Sequence, residues 1–147
     1  MNFIAALILM CIPTDEPCAF MVFSRLMQTS EWKKLYLPDT PKLFVLADKL
    51  GQFIRTISPK LYKQLDKSEI FLESLFASPF MTLFSNLIRE EEALKVLDRF
   101  MLEGEAAILD IMQLMIKTKI KELEKMDSWD LQVFLGRKMY DVCLREG

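Results

Sequence analysis

Apolar residues recur at steps of three and four along most of this chain, which is the spacing of one face of an α-helix. One such run has the members Leu43, Leu46, Ala47, Leu50, Phe53, Ile54 and Ile57. A second run has the members Ile108, Ile111, Met112, Met115, Ile116, Ile120 and Leu123. No sustained alternation of apolar and polar residues marks a strand, and no Asn-Gly or Asp-Gly hairpin turn occurs. The sequence therefore predicts an all-α fold.

Proline, glycine and capping residues predict where these helices begin and end. Pro41 opens the first apolar run and Pro59 follows it, while the Leu-Pro-Asp-Thr-Pro segment at 37–41 is the clearest turn. Gly104 separates the second run from the helix before it. A last helix is expected to begin at 127–128, where side-chain oxygens can cap free amide groups. These signals indicate an irregular or orthogonal array of about seven to nine helices.

The run from Phe3 to Ile12 is the most apolar part of the chain, with ten apolar residues in succession. It is too short to span a bilayer, which needs about 20 residues. No Lys or Arg precedes it and no clear small-x-small cleavage site follows it, which argues against a signal peptide. We therefore predict a buried helix, which needs neighbours on all sides. The alternative of a secreted helical protein requires cleavage after this run.

The charged, histidine and cysteine residues limit the classes of function. The 19 basic and 21 acidic residues are interspersed and give a net charge of -2, so no positive field favours nucleic acid. The absence of histidine removes Ser-His-Asp and Cys-His catalysis and most zinc sites. Cys11, Cys18 and Cys143 are too few for a four-thiolate site and fit reduced thiols better than a disulfide framework. We expect no nucleic-acid partner, no metal and no cofactor.

Several segments carry motifs of a known family. Residues 94–104 read L-K-V-L-D-R-F-M-L-E-G, and residues 75–85 read L-F-A-S-P-F-M-T-L-F-S. They resemble the V-L-R-I-W-D-x-F-L-x-E-G and L-F-A-S-x-W-F-L-T-L-F-S motifs of TBC domains, the GTPase-activating modules that act on Rab GTPases. Glu16 with Ala19-Phe20 resembles the family's E-x-D-A-F. The likeness covers most of the chain from its first residue, and implies a single partial TBC domain over 1–147 that corresponds to the C-terminal half of the family's fold.

The same comparison identifies departures from the family motifs. Pro79, or a one-residue deletion, replaces the first signature tryptophan, and Leu97 replaces the second. Three phenylalanines are expected to supply some of the lost ring volume: Phe80, Phe84 and Phe100. Asp98 and Glu103 are retained, and we expect them to make helix-end or buried hydrogen bonds rather than to act in catalysis.

The resemblance implies an activator of Rab GTPases rather than an enzyme. In the family, an Arg from I-x-x-D-x-x-R and a Gln from Y-x-Q enter the nucleotide site of the Rab and are called the Arg and Gln fingers. The Arg finger stabilises phosphate charge and the Gln finger orients the attacking water. No arginine of this chain lies in the first frame, and the second motif would end just before Met1. Tyr62-Lys63-Gln64 spells Y-x-Q, but its context matches another helix of the fold, so we interpret it as structural. The expectation is that no catalytic residue lies in this chain and that it is inactive alone.

The resemblance also implies partners and a location. Asn2 is the one candidate Rab-binding residue, because it adjoins the position of the family's Gln finger. The expected partner is a GTP-bound Rab in vesicle trafficking, and the expected location is the cytoplasm, at endomembranes through the Rab, without a transmembrane segment. We expect a truncated product or an incomplete gene model, with apolar surface exposed where the other half of the fold would pack. The alternative is a fingerless helical interaction module that binds a GTPase or another partner without accelerating hydrolysis.

Overall fold

The computed structural model describes residues 2–146, apart from the side chains of Asn2, Ser30 and residues 144–146. Over these residues the chain forms α-helices and no strand, which confirms the all-α prediction. The helices are α1 Asn2–Cys11, α2 Glu16–Gln28, α3 Pro41–Ile57, α4 Pro59–Lys67, α5 Leu72–Thr82, α6 Glu90–Glu103, α7 Glu105–Leu123, α8 Ser128–Val133 and α9 Met139–Glu146. A 3-10 helix at Thr29–Tyr36 joins α2 to α3, and a π-helical turn at Phe134–Lys138 joins α8 to α9.

Helix α3 lies at the centre of the array, against the 3-10 helix, α4, α5 and α7. It begins at Pro41, as predicted, because proline tolerates the first helical position, where no intrahelical N–H bond is required. Its core face is the predicted one and includes Leu46, Leu50 and Ile54, all fully buried. Helix α4 follows at once, because the hydroxyl of Ser58 accepts a hydrogen bond from the backbone N–H of Leu61 at 3.2 Å and caps the new helix.

Aromatic side chains from distant parts of the chain meet in the core. Trp32 of the 3-10 helix is fully buried and lies edge-on to Phe100 of α6, with ring centroids 4.8 Å apart. Phe84, after α5, lies against Tyr140 of α9 at 5.4 Å. Phe80 is also fully buried, so the three phenylalanines expected to fill the core do lie inside it.

Helix α5 contains Pro79, which is buried. Proline has no N–H to donate to the carbonyl of Leu75 four residues earlier, yet the helix continues to Thr82. Leu83 and Phe84 then adopt left-handed backbone conformations, with φ of 49° and 65°, and end the helix. Both side chains are fully buried, so core packing holds a backbone that these residues otherwise disfavour.

The last helical segment begins where the sequence predicts. The carboxylate of Asp127 accepts a hydrogen bond from the backbone N–H of Asp130 at 2.8 Å, which caps α8. Leu131, Leu135 and Tyr140 are buried along this segment. Leu135 lies in the π-helical turn between α8 and α9, so α8, this turn and α9 each contribute a buried side chain to the core.

Helix α1 is only half-buried, so the prediction of a buried helix is wrong for its outer side, where apolar side chains are exposed as expected for a partial domain. Its inner side packs Ile4, Leu7 and Ile8 against neighbouring helices. Those neighbours are α2, α5 and α6, and the opposite side, with Phe3 and Leu9, stays exposed. Within residues 2–146 no helix combines the length and apolar character that a bilayer crossing requires.

Candidate partner-binding surface

Asn2, the residue predicted to contact a Rab, opens helix α1. Its side chain is outside the described part of the structure, so its role stays a prediction. The helix that carries it is fixed by the burial of Ile4 and Ile8 on its inner side. The surface around the start of the chain is therefore set by α1 and by the helix that follows it, α2.

Helix α2 presents large apolar side chains to solvent. The carboxylate of Asp15 accepts a hydrogen bond from the backbone N–H of Cys18 at 3.0 Å and fixes the start of the helix. Ala19 and Leu26 face the core, whereas Phe20 and Met21 are 69% and 71% exposed. Consecutive residues lie about 100° apart around a helix, so residues directly after the buried Ala19 point away from the core. That spacing could have identified the exposed pair in the sequence.

We define the α1–α2 surface by the exposed apolar side chains Phe3, Leu9, Met10, Phe20 and Met21. Phe20 and Met21 also line a groove of about 890 Å³ that runs along α2 and includes Met101 of α6. Large exposed apolar side chains on two helices that pack together are candidates for burial against another protein. This surface can accept apolar side chains of a partner.

A second cavity, the α3–α5 cleft, has a different chemical character. It has a volume of about 560 Å³ and lies where α3, α4 and the start of α5 meet. Its lining combines exposed rings with charged side chains: Phe44, Asp48, Arg55, Tyr62, Asp66, Phe71 and Glu73. The guanidinium of Arg55 lies 6.0 Å from the centre of the Tyr62 ring.

The Tyr62-Lys63-Gln64 segment lies on α4 and takes part in helix packing. The side-chain amide of Gln64 donates a hydrogen bond to the backbone carbonyl of Glu124 at 3.2 Å. The hydroxyl of Ser58 donates to the carboxylate of the same glutamate. Gln64 therefore links α4 to the end of α7, which agrees with the structural interpretation of this motif.

The two retained acidic residues of the motif in α6 differ in their surroundings. Glu103 lies at the end of α6 and accepts a hydrogen bond from Arg99 Nε at 3.1 Å. Asp98 lies in the middle of α6 and is exposed. The expectation of a helix-end or buried hydrogen bond is therefore wrong for Asp98.

The shifted pKa values of three titratable groups have structural causes. Burial alone would raise the pKa of Glu105, but contacts with the ammonium groups of Lys42 and Lys49 outweigh it and lower the pKa. Burial raises the pKa of Tyr36 to about 12 and also raises that of Tyr140. Within the described residues, no His, Cys, Asp and Glu side chains are grouped to hold a metal ion. These shifts therefore reflect ion pairing at Glu105 and burial of the two tyrosines.

Comparison with known proteins identifies the family. The sequence model of the Rab-GTPase-TBC domain matches residues 1–124. The chain belongs to this family. The TBC motifs at 75–85 and 94–104 therefore led to a correct assignment.

The TBC chain is similar to several curated proteins. It is 29% identical over 126 residues to the human ecotropic viral integration site 5 protein homolog, covering 85% of this chain and 15% of that protein. It is 28% identical over 138 residues to the Rab GTPase-activating protein eat-17 of Caenorhabditis elegans, covering 93% of this chain and 15% of that protein. It is 23% identical over 132 residues to the probable GTPase-activating protein GYL1 of Saccharomyces cerevisiae, covering 90% of this chain and 18% of that protein. The TBC chain thus spans less than a fifth of the length of these relatives.

The TBC match ends at residue 124, before α8 begins. Helices α8 and α9 nevertheless bury Leu131 and Tyr140 in the same core as the matched region. The expectation of one partial TBC domain over 1–147 stays a prediction.

Proposed function

We propose that this chain is part of a Rab GTPase-activating protein, and that it binds a GTP-bound Rab without accelerating hydrolysis when it acts alone. The observation that carries the proposal is the TBC family match over residues 1–124. Its relative in Caenorhabditis elegans, named a Rab GTPase-activating protein, supports the same partner class. The proposal puts the protein in the cytoplasm, at the endomembranes that carry its Rab.

The proposed inactivity follows from the chemistry of GTP hydrolysis. Charge develops on the phosphate oxygens in the transition state, and an arginine finger contributes about 10³ to 10⁵ in rate by stabilising it. That factor corresponds to roughly 4 to 7 kcal/mol of barrier. None of the arginines here lies in the I-x-x-D-x-x-R frame, and the amide of Gln64 is engaged with α7. Binding that stabilises the ground state and the transition state equally leaves the barrier unchanged.

The α1–α2 surface is the proposed place of association. It combines the start of α1, where Asn2 lies, with the exposed side chains of Phe20 and Met21. Apolar side chains of this size are common anchors at protein interfaces, where they lose contact with water. In this proposal the surface packs against the Rab itself.

The test is single-turnover GTP hydrolysis by a panel of Rab proteins, with binding measured by calorimetry on the same preparations. We expect at least one Rab to bind in its GTP-bound form while every Rab hydrolyses at its intrinsic rate. An intact Rab activator serves as the positive control for hydrolysis. Acceleration of about a hundredfold or more by this chain alone would contradict the proposed inactivity. A complete lack of Rab binding would contradict the proposed partner.

A matched pair of variants locates the binding surface. Phe20→Ser removes an exposed ring from the α1–α2 surface, and Phe44→Ser removes one from a different face. We expect the first variant to weaken Rab binding about fivefold or more and the second to leave it unchanged. Equal effects of the two variants would place the Rab elsewhere.

The exposed α1–α2 surface also favours a second candidate, the fingerless interaction module. Addition of the finger-bearing segment of a TBC relative separates the two possibilities. Restored hydrolysis supports the Rab activator, whereas unchanged hydrolysis with retained binding supports the module.

A further inference from the structure

The α3–α5 cleft carries charges that the fold leaves unpaired. Asp48, Asp66 and Glu73 contribute three carboxylates to its lining, against one guanidinium from Arg55. None of the four has an ion-pair partner within the described residues, although Asp48 accepts a hydrogen bond from Gln52 at 3.0 Å. The cleft therefore has a net negative lining that is not neutralised from inside the molecule.

A third cavity, between α6, α7 and α9, provides a contrast. It has a similar volume of about 550 Å³ and is lined by three cations. Each cation is paired: Lys95 with Glu92 at 3.1 Å, Arg99 with Glu103 at 3.1 Å and Lys119 with Glu122 at 3.5 Å. Charge is thus balanced by nearby side chains at this cavity and left unbalanced at the α3–α5 cleft.

Exposed rings flank the unpaired carboxylates. Phe44 on α3 and Phe71 before α5 are 53% and 67% exposed, and both line the cleft. Gly51 allows α5 to approach α3 closely at the cleft, because a Cβ atom there would lie 2.9 Å from Cδ1 of Leu72. A recess lined by both aromatic rings and carboxylates complements a segment that carries both an apolar side chain and positive charges.

We propose that the α3–α5 cleft binds a short basic segment of a protein partner, with one apolar side chain between Phe44 and Phe71 and Lys or Arg side chains beside Asp66 and Glu73. The cleft has no lining residue from α1, α2 or α6, so it is separate from the α1–α2 surface. This inference goes beyond the proposed function, because binding of the segment requires neither a Rab nor GTP.

The experiment measures fluorescence polarisation of two labelled ten-residue peptides with the full 147-residue chain. One peptide contains two leucines among lysines, and the other has glutamate in place of each lysine. We expect the lysine peptide to bind at least about tenfold more tightly, and its affinity to fall as salt is raised. Absence of binding by the lysine peptide, equal binding of the two peptides, or full competition by spermine, which lacks an apolar anchor, would overturn the proposal.

Three variants and one control assign the binding to the cleft. Asp66→Lys is expected to weaken binding of the lysine peptide by about three- to tenfold, and Glu73→Gln by about two- to fivefold. Phe71→Ala is expected to weaken the same binding by about fivefold or more. The control is Asp98→Lys, which makes the same charge change at an exposed position on α6. Circular dichroism verifies that each variant stays folded. An effect of Asp98→Lys equal to that of Asp66→Lys would show general charge attraction and refute the site. Because no Rab is present, failure here leaves the proposed function intact.

Discussion

The hydroxyl of Tyr140 is predicted to destabilise the fold, so its removal should stabilise the protein. Tyr140 is 0% exposed, and its hydroxyl has no hydrogen-bond partner among the side chains and backbone that the structure describes. The ring itself packs against Phe84 with centroids 5.4 Å apart. Tyr140→Phe keeps that ring contact and deletes only the polar atom.

Tyr36 provides the control, because it is a half-buried tyrosine with a satisfied hydroxyl. Its hydroxyl donates a hydrogen bond to the backbone carbonyl of Met81 at 2.6 Å, which links the 3-10 helix to α5. Tyr36→Phe removes the same atom but also breaks that bond. The two substitutions are chemically identical and should change stability in opposite directions.

The magnitudes follow from the cost of burying a polar group. An unpaired hydroxyl in a protein interior costs roughly 1–3 kcal/mol, so Tyr140→Phe should raise the free energy of unfolding by about 1–2 kcal/mol. Tyr36→Phe should lower it by about 1–2 kcal/mol, because it leaves the Met81 carbonyl unsatisfied. For a chain of this length, each kcal/mol corresponds to a shift in Tm of about 2–4 °C.

Urea unfolding followed by circular dichroism gives both values under one set of conditions, provided that the transition has a single step. The change should lie in the midpoint and not in the slope, because neither variant alters the surface exposed on unfolding. A loss of stability in Tyr140→Phe equal to that in Tyr36→Phe would refute the reasoning, since it would mean that the Tyr140 hydroxyl is bonded in the folded protein.

Three further predictions concern the ion pairs, the tryptophans and the apolar surface. Glu105→Gln should lower the free energy of unfolding by about 0.5–1 kcal/mol after solvent screening. The folded pKa of Glu105 lies below its ordinary value of 4.5, so this contribution is present above that pH and is lost as the pH falls through the folded pKa. In urea titrations, the variant should therefore have a lower free energy of unfolding than the parent at neutral pH and the same free energy at acidic pH. Acrylamide should quench the exposed Trp129 and spare the buried Trp32, so Trp129→Phe should remove most quenching; unchanged quenching would contradict the burial of Trp32. Replacement of Phe20 by Ser and Met21 by Gln should reduce concentration-dependent association in sedimentation velocity without lowering stability, and undiminished association would exclude the α1–α2 surface as its cause.

The helix boundaries that were predictable from the sequence are those with strong local signals. Helix α3 has a proline at its first residue and an apolar stripe along one face, and its observed bounds are Pro41–Ile57. Gly104, with φ of 70°, separates α6 from α7 because a glycine reaches that backbone conformation without strain. The cap of α8 is likewise a local signal, because the two residues that form it, Asp127 and Asp130, lie three positions apart.

The features that were not predictable depend on residues far apart in the chain. The 3-10 helix has few residues and no sustained period, so the burial of Trp32 against Phe100 could not be read from local sequence. The exposure of Phe3 and Leu9 depends on which helices pack beside α1, and periodicity alone does not specify neighbours. The α3–α5 cleft was missed for the same reason, since Asp48 and Glu73 meet only after the chain folds.

Glu124, at the end of α7, makes hydrogen bonds to Gln64 of α4 and to Ser58, which caps α4. Its carboxylate and its carbonyl bind partners that lie 66 and 60 positions earlier in the chain. The entropic cost of closing so long a loop falls once the intervening α5 and α6 have already drawn the chain together. We therefore expect these two hydrogen bonds to form late in folding. Helices α8 and α9 should pack against the rest of the structure after that step.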